Sequence, residues 1–357
     1  VIGLCHSPAI RVLQSGPLGL LTSHQLARLT SSELGALTTT QMHGLDTTQT
    51  GALSAEQVAM LGSSQIAALS SAGIEGLTAT QAAALTTTQL RGLSSTQIAA
   101  LGNNALNALS ETSFAALNTT QLKGLQATQM EELDATHLAA LTSTQMGALT
   151  TTALQGLSAE QVRDLTTTQL RGLTSTQIAG LGDEEISSLG AEQLAALSAT
   201  QWKGLSGDLM GSLSVDELAG LTTTQMAALT TTQLAGFSDE QVAALSTTQL
   251  AALSSAQVGA LSADGIAGLS LTQIGSLSTT QLHGLTVTQM AALTTEQVSG
   301  LTATELGALT LTQLGALSST GLAALTATQI SGLTTRQIAA LTTTQLDGLS
   351  DTQMGVL

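Results

Sequence analysis

Threonine is the side chain whose spacing most suggests a chemical role. Paired threonines recur at separations that are multiples of eight residues, at Thr39 and Thr40, Thr87 and Thr88, Thr167 and Thr168, and Thr343 and Thr344. Rows of hydroxyl and methyl groups could bind a glycan, ice or another copy of the chain, or could accept O-linked sugars. The exposed first turn of a helix also tolerates threonine without any ligand. These eight residues are therefore a candidate surface ladder.

The other residue types that commonly carry chemistry do not converge. The five histidines are scattered at His6, His24, His43, His137 and His283. A zinc site needs three or four ligands that meet, and Cys5 is the only cysteine. No phosphate-binding loop, nucleophile–base pair or nucleotide fingerprint occurs in the sequence. We expect no catalytic, cofactor-binding or metal-binding residues and no enzyme activity.

The frame that positions these residues is an eight-residue repeat. From Leu21 to Val356 the sequence contains 42 consecutive octads without insertion or deletion. Numbered from its leucine, the octad reads Leu, Thr or Ser, two variable residues, Gln, an apolar residue and two small residues. A perfect array leaves no room for the unique loops that hold a catalytic site together. It is typical of a solenoid whose function depends on shape and surface.

Positions 2 and 5 predict that every octad begins a helix. Position 2 is Ser or Thr in 34 octads, and position 5 is Gln in 30 and Glu in 4 more. Ser/Thr-x-x-Gln/Glu is the capping box, in which the two side chains bond each other's backbone N–H groups. One continuous helix is excluded, because eight residues exceed two turns by about 80° and would spread the leucines around the cylinder. We therefore predict short helices that turn a corner at each Leu-Thr, with positions 1 and 6 in the core.

A β-solenoid is the competing fold, because runs of threonine favour strands. However, positions 1 and 6 differ in parity and would point to opposite faces of a flat strand. Segments such as Gln-Leu-Ala-Ala-Leu are also good helix formers. The sequence favours an all-α solenoid, with the β-solenoid as the alternative.

A second period of sixteen residues runs through the array. Counted from Leu21, odd octads have Gly at position 8 in 14 of 21 cases, whereas even octads have it once, at Gly180. Position 7 is long or polar in many odd octads, as at His43 and Arg91, and is Ala or Gly in nearly all even ones. This alternation predicts a sixteen-residue helix-turn-helix unit. The Gly of the odd helix would then adopt the left-handed conformation at a C-terminal turn.

Composition and charge bound the class of protein. Residues 1–20 form an atypical segment that contains both prolines, and residues 21–357 form one continuous repeat domain. Only 9% of residues are charged and the net charge is −16, which argues against binding nucleic acid. No run of eighteen apolar residues occurs, so membrane insertion is not expected. Scarce Lys, Cys and aromatic residues with abundant Thr, Ser and Gly favour an extracellular or cell-surface location.

The Leu-Thr-x-x-Gln-Leu-x-x-Leu pattern resembles octapeptide tracts in very large bacterial surface or secreted repeat proteins, which are described as adhesin- or haemagglutinin-like. The resemblance covers nearly the whole chain and implies an extracellular repeat protein, but no functional residue carries over. The segment Leu349–Leu357 resembles an interior octad, so we expect an uncapped end that favours self-association. We predict a structural protein, either the subunit of a self-assembling fibre or a surface stalk. The alternative is a binding module whose threonine ladders recognise a glycan or ice.

Overall fold

A computed structural model describes residues 22–357 of the chain. The described residues form short α-helices joined by turns, and they contain no β-strand. The predicted all-α solenoid of short helices is therefore confirmed, and the β-solenoid alternative is wrong. The atypical segment predicted for residues 1–20 lies outside the described residues.

The described helices, numbered α1 to α42 in chain order, fall into two compact units that divide between Ser188 and Leu189. In unit 1 the helices are α1 Ser23–Leu26, α2 Ser31–Gly35, α3 Thr39–His43, α4 Thr47–Gly51, α5 Ala55–Met60, α6 Ser63–Ala67, α7 Ser71–Glu75, α8 Ala79–Ala83, α9 Thr87–Arg91, α10 Ser95–Ala100, α11 Asn103–Asn107, α12 Glu111–Ala115, α13 Thr119–Leu122, α14 Ala127–Glu131, α15 Ala135–Ala139, α16 Ser143–Met146, α17 Thr151–Leu154, α18 Ala159–Arg163, α19 Thr167–Gly172, α20 Ser175–Gly180 and α21 Asp183–Ser187.

In unit 2 the helices are α22 Ala191–Ala196, α23 Ala199–Trp202, α24 Gly207–Ser212, α25 Val215–Ala219, α26 Thr223–Ala228, α27 Thr231–Ala235, α28 Asp239–Ala243, α29 Thr247–Ala251, α30 Ser255–Val258, α31 Ala263–Ala267, α32 Leu271–Ile274, α33 Thr279–Leu282, α34 Val287–Ala292, α35 Thr295–Ser299, α36 Ala303–Ala308, α37 Leu311–Ala316, α38 Ser319–Ala323, α39 Ala327–Ile330, α40 Thr335–Ile338, α41 Thr343–Asp347 and α42 Asp351–Met354.

Most of the described helices begin at the capping box that the octad encodes. Before α26, the Thr222 hydroxyl accepts from the N–H of Gln225 at 3.3 Å, and the Gln225 Oε1 accepts from the N–H of Thr222 at 2.8 Å. These bonds satisfy two of the N–H groups that a helix start leaves unpaired. One octad therefore starts one helix of four to six residues, as predicted.

Each helix ends at a corner made of two extended residues. After α26, Leu229 has φ −59° and ψ 140°, and Thr230, which caps α27, has φ −77° and ψ 159°. Two successive residues in this region cannot continue a helix. The chain therefore changes direction at every Leu-Thr or Leu-Ser pair.

Three helices complete one coil of 24 residues. Within each unit, most helices pack mainly against the helix three places further along the chain, so α4 contacts α7 and α7 contacts α10. The predicted sixteen-residue helix-turn-helix unit is wrong, because consecutive helices are separated by a corner and do not form a packed pair. The helices of each unit instead lie in three stacked columns, and each column contains every third helix.

Positions 1 and 6 of the octad form the core inside these coils, as predicted. Leu90 at position 6 is fully buried, and Leu93 at the following position 1 is 3% exposed. Phe114 and Trp202 replace the usual aliphatic residue at position 6 and are also fully buried. A helix of four to six residues is too short to persist alone in water, so this shared core stabilises the array.

The glutamine at position 5 binds one coil to the preceding one. The Gln281 amide nitrogen Nε2 donates to the carbonyl oxygens of Leu250 at 2.7 Å and Leu253 at 2.8 Å, while Oε1 accepts from the N–H of Ser278. The same pattern, reaching back 28 and 31 residues, recurs in both units, for example at Gln89 and Gln345. The sequence predicted the cap contact but not the bonds to the preceding coil. We call this row of buried amides the glutamine ladder.

The sixteen-residue alternation describes the spacing between coils. Stacked helices are three places apart in the chain, so an odd-numbered helix always stacks on an even-numbered one. Gly172 of α19 lies so close to α16 that a Cβ on it would be 2.7 Å from the Cα of Ser143. Position 8 of an odd helix therefore needs a glycine where the two backbones meet at such a close interface.

Where an even-numbered helix stacks on the odd-numbered helix three places before it, the gap between the two helices is wider. The long side chains at position 7 of odd helices cross this gap. The Asn107 amide donates to the carbonyl oxygen of Glu132 at 2.7 Å, and the His43 Nδ1 lies 3.3 Å from that of Ala68. Close interfaces and interfaces spanned by position 7 side chains thus follow each other in a column where position 8 carries a glycine such as Gly172.

The glycines at position 8 do not adopt the predicted left-handed conformation. Gly44 has φ −79° and Gly92 has φ −75°, and no described glycine has a positive φ. That part of the prediction is wrong, because the glycine is required for the close approach of another backbone and not for its own dihedral angles.

Candidate functional surface

Positions 3 and 4 of each octad lie in the first turn of the helix and supply much of the polar surface. The position 4 residues are exposed, as at Thr48 and Thr120. Position 3 faces the neighbouring coil more closely, and the Thr47 hydroxyl donates to the carbonyl oxygen of Ala72 at 3.1 Å. A ligand that binds this surface therefore contacts the side chains at position 4 first.

Column packing places certain threonines above one another. In unit 1, one column begins with α1 and continues through α4, α7, α10, α13, α16 and α19, and from α4 onwards its residues at positions 3 and 4 carry no charge. These pairs are Thr47 and Thr48, Ser71 and Ala72, Ser95 and Thr96, Thr119 and Thr120, Ser143 and Thr144, and Thr167 and Thr168. We call this set the threonine column of unit 1.

Unit 2 has a corresponding column formed by α23, α26, α29, α32, α35, α38 and α41. Its position 4 residues are exposed and are threonine except at Glu296. They are Thr200, Thr224, Thr248, Thr272, Glu296, Thr320 and Thr344. We call these seven residues, with their neighbours at position 3, the threonine column of unit 2. Helices in contact are usually spaced by about 8–10 Å, which sets the approximate interval between successive threonines.

The eight threonines of the candidate ladder lie on three different columns. Thr39 and Thr40 on α3 share a column with Thr87 and Thr88 on α9, and Ser63 and Ser64 on α6 lie between them. Thr167 and Thr168 belong to the threonine column of unit 1, and Thr343 and Thr344 belong to that of unit 2. All eight are exposed or half-buried. The sequence thus identified surface residues but not their neighbours, which are set by the 24-residue coil.

Acidic residues gather on a different column of unit 2. Exposed carboxylates at position 4 occur at Glu192, Asp216, Glu240 and Asp264 on α22, α25, α28 and α31, which stack in that order. A carboxylate in the first turn is favoured by the free N–H groups there. At the equivalent Glu56 of unit 1, hydrogen bonds from its own backbone N–H and from the Ser54 hydroxyl lower the pKa of the carboxyl group.

Histidine 137 occupies a glutamine position of the ladder. It is 4% exposed, and its ring meets that of Phe114 edge to face with centroids 4.9 Å apart. Its Nδ1 lies 2.7 Å from the Asp134 Oδ1, and its Nε2 lies 2.7 Å from the carbonyl oxygen of Leu109. Burial opposes ionisation of Asp134, but hydrogen bonds from the Thr136 hydroxyl and from His137 prevail and lower the pKa of Asp134 to about 2.

Possible metal ligands remain apart in the described part of the chain. Within residues 22–357, no three His, Cys, Asp or Glu side chains lie close enough together to hold a metal ion. None of the described helices is both long enough and apolar enough to cross a membrane. The arrangement offers regular rows of hydroxyl and methyl groups on the stacked helices of each unit.

These features define a helical repeat protein. Residues 240–271 and 266–303 match the family model of the ALTTAQ repeat. The segment Ala292 to Gln297 reads Ala-Leu-Thr-Thr-Glu-Gln and differs from that six-letter repeat name at one position. No curated protein matches the chain.

Proposed function

We propose that this chain is a structural extracellular repeat protein, acting as a stalk on a bacterial surface or as the subunit of a self-assembling fibre. The observation that carries the proposal is the glutamine ladder, because each coil binds the next through the same buried groups. An interface that repeats from coil to coil is one that coils of separate molecules could also form. Extension along one direction is therefore built into the repeat.

An extracellular place and an adhesin- or haemagglutinin-like role belong to the same proposal. They are supported by the resemblance of the octad to surface-protein tracts and by the low content of charged residues, 9%. The net charge of −16 disfavours a nucleic-acid partner. We also propose that the chain has no catalytic role, because its polar residues repeat instead of forming one unlike cluster.

Sedimentation velocity over a wide range of protein concentration, with electron microscopy of the same samples, tests the structural role. A fibre subunit should gain mass as the concentration rises and should form uniform filaments. A stalk should remain monomeric and helical. A chain that sediments as an unfolded coil would contradict both forms. Surface labelling of intact cells tests the location, which is wrong if the protein is protected from the reagent.

The second candidate is a binding function for the threonine columns, and the observation that favours it is their alignment at 24-residue intervals. Such rows fit a partner with a regularly repeating surface, a glycan or ice. Binding to insoluble polysaccharides and inhibition of ice recrystallisation would measure it. Replacing Thr120, Thr144 and Thr168 by Glu should abolish the effect, because charged groups would interrupt the uncharged column.

A matched control places the same charges on another column of unit 1. Thr80, Thr128 and Thr176 also occupy exposed position 4, on a column already interrupted by Glu56. Glu is native to this position, so both triple variants should fold. Equal loss of binding in the two variants would contradict a role for the threonine column of unit 1 and would indicate a general effect of charge.

A further inference from the structure

The corner that holds His137 is built differently from the other corners of the glutamine ladder. At a usual corner the amide Oε1 accepts from the backbone N–H of the cap residue, and Nε2 donates to the preceding coil. At this corner the cap residue is Asp134, and its backbone N–H is directed to the Asn107 Oδ1 at 3.3 Å. The two nitrogens of His137 instead face two oxygen atoms, those of Asp134 and Leu109.

Both of these oxygen atoms can only accept a hydrogen bond here. The Leu109 oxygen is a backbone carbonyl, and Asp134 is ionised because its pKa is lowered to about 2. A neutral imidazole has one N–H, whereas an imidazolium has two. Both contacts, at 2.7 Å each, are therefore hydrogen bonds only when His137 carries a proton on each nitrogen.

We propose that His137 is a pH-sensitive joint between α12 and α15 of unit 1. In its protonated form it binds the Asp134 carboxylate and the preceding coil together. On deprotonation one of the two bonds loses its hydrogen and leaves an oxygen atom facing a nitrogen lone pair. The joint therefore loosens when His137 loses a proton as the pH rises.

The surroundings of His137 identify Asp134 as the carboxylate in contact with the ring. Glu111 on α12 and Glu160, Arg163 and Asp164 on α18 are the other charged side chains nearby on those stacked helices, and all four are exposed. Phe114 presents an apolar ring. Asp134 is thus the charged side chain that contacts the His137 ring, so the effect of pH on the joint depends chiefly on this pair.

His137→Gln provides the comparison, because the chain already contains the combination that it creates. At the start of α4, Asp46 accepts from the N–H of Gln49 at 2.7 Å and its own N–H donates to the Gln49 Oε1 at 3.0 Å. The variant should therefore fold with an ordinary corner. It keeps His6, His24, His43 and His283, so any effect of these four residues is common to both proteins.

Hydrogen exchange of α12 and α15, measured by mass spectrometry from pH 5 to 8.5, tests the proposal. Relative to His137→Gln, the native chain should lose protection by about tenfold or more as the pH rises, the effect of losing a hydrogen bond to a charged group. Identical exchange in the two proteins across this range would overturn it. Nitrogen NMR of the native chain provides an independent check. Two protonated ring nitrogens at low pH are expected, and a single neutral tautomer throughout would refute the proposal even if the variant did not fold.

Discussion

At the scale of the residue, the amide of glutamine suits position 5 because it both accepts and donates. Its oxygen completes the cap of its own helix, and its nitrogen reaches two carbonyl groups of the preceding coil. Buried amides of this kind stabilise only when every group is paired, since an unpaired polar atom in the interior costs free energy. The ladder therefore fixes the register of one coil on another as well as holding the coils together.

Replacing Gln233 by Leu should lower the free energy of unfolding of unit 2 by about 2–4 kcal/mol. The change removes the acceptor for the N–H of Thr230 and the donor to the carbonyl oxygens of Trp202 and Leu205. Urea unfolding followed by the fluorescence of Trp202, which is the chain's single tryptophan and is fully buried, would measure it. A midpoint equal to that of the native chain would contradict a stabilising role for the ladder.

The opposite change should stabilise the same unit. Glu305 is 9% exposed and occupies a ladder position, where its carboxylate completes the cap at Thr302 but has no hydrogen to donate. Glu305→Gln supplies a donor for the carbonyl oxygens of Ile274 and Leu277, which lie 31 and 28 residues earlier as at other ladder corners. We expect a gain of about 1 kcal/mol in the same urea experiment. A loss of stability would show that this corner is not part of the ladder.

Asp134 gives a dependence on acidic pH. Its pKa is about 2 in the folded chain against 3.8 ordinarily, so its stabilising effect is present above pH 4 and is lost as the pH falls towards 2. Asp134→Asn keeps a capping oxygen, as Asn118 does before α13, but removes the charge. The variant should be less stable than the native chain at neutral pH and equal to it near pH 2. Thermal unfolding of both proteins at several pH values would measure the convergence.

At the scale of the element, each octad predicts its own helix because all the required signals are local. Cap, N3 residue and hydrophobic staple lie within six residues, as in the run from Leu221 to Met226. The number of helices in a coil is not local. It depends on how far the chain turns at two extended residues such as Leu229 and Thr230, and an eight-residue period is compatible with any number. The sequence therefore predicted the helices and not the 24-residue coil.

The glycines at the close interfaces should respond differently from those in open places. A Cβ on Gly284 would lie 2.7 Å from the Cα of Ser255, so Gly284→Ala should destabilise unit 2 by about 1–3 kcal/mol. Gly315 lies within α37, and a methyl group there would have no other atom within 4 Å, so Gly315→Ala should stabilise by about 0.5–1 kcal/mol. Urea midpoints measured by Trp202 fluorescence would compare the two. Similar effects of both substitutions would contradict the alternation of close and wide interfaces.

At the scale of the whole molecule, the repeat array has two periods, and each describes a different property of the packing. The 24-residue coil determines which helices are in contact, and the sixteen-residue repeat determines how closely those helices approach each other. The threonine columns show the limit of sequence reasoning for the surface. Thr168 has Thr144 as its neighbour in the column, and that relation appears only once three octads are known to close a coil.

Deleting whole octads from unit 2 should therefore lower its stability by an amount that does not increase with the number of residues removed. Removing Leu261–Ser276, two octads, places Gly300 over Ser255 and preserves the alternation. Removing Leu261–Gly268, one octad, places Ala292 there, where the native chain has Gly284. The shorter deletion should be the less stable variant, as measured by its urea midpoint. A lower urea midpoint for the longer deletion than for the shorter one would contradict this prediction.

The reach of the glutamine ladder has a consequence for how the chain folds during synthesis. No ladder bond spans more than 31 residues, and the side-chain bonds across the wide interfaces span 25. Each corner can therefore be completed as soon as one further coil has left the ribosome, without waiting for distant segments. Contacts of such short range favour rapid folding, and neighbour-only packing lets the structure grow from one end. A long chain of this repeat need never expose more than about one coil of unpaired core while it is being made.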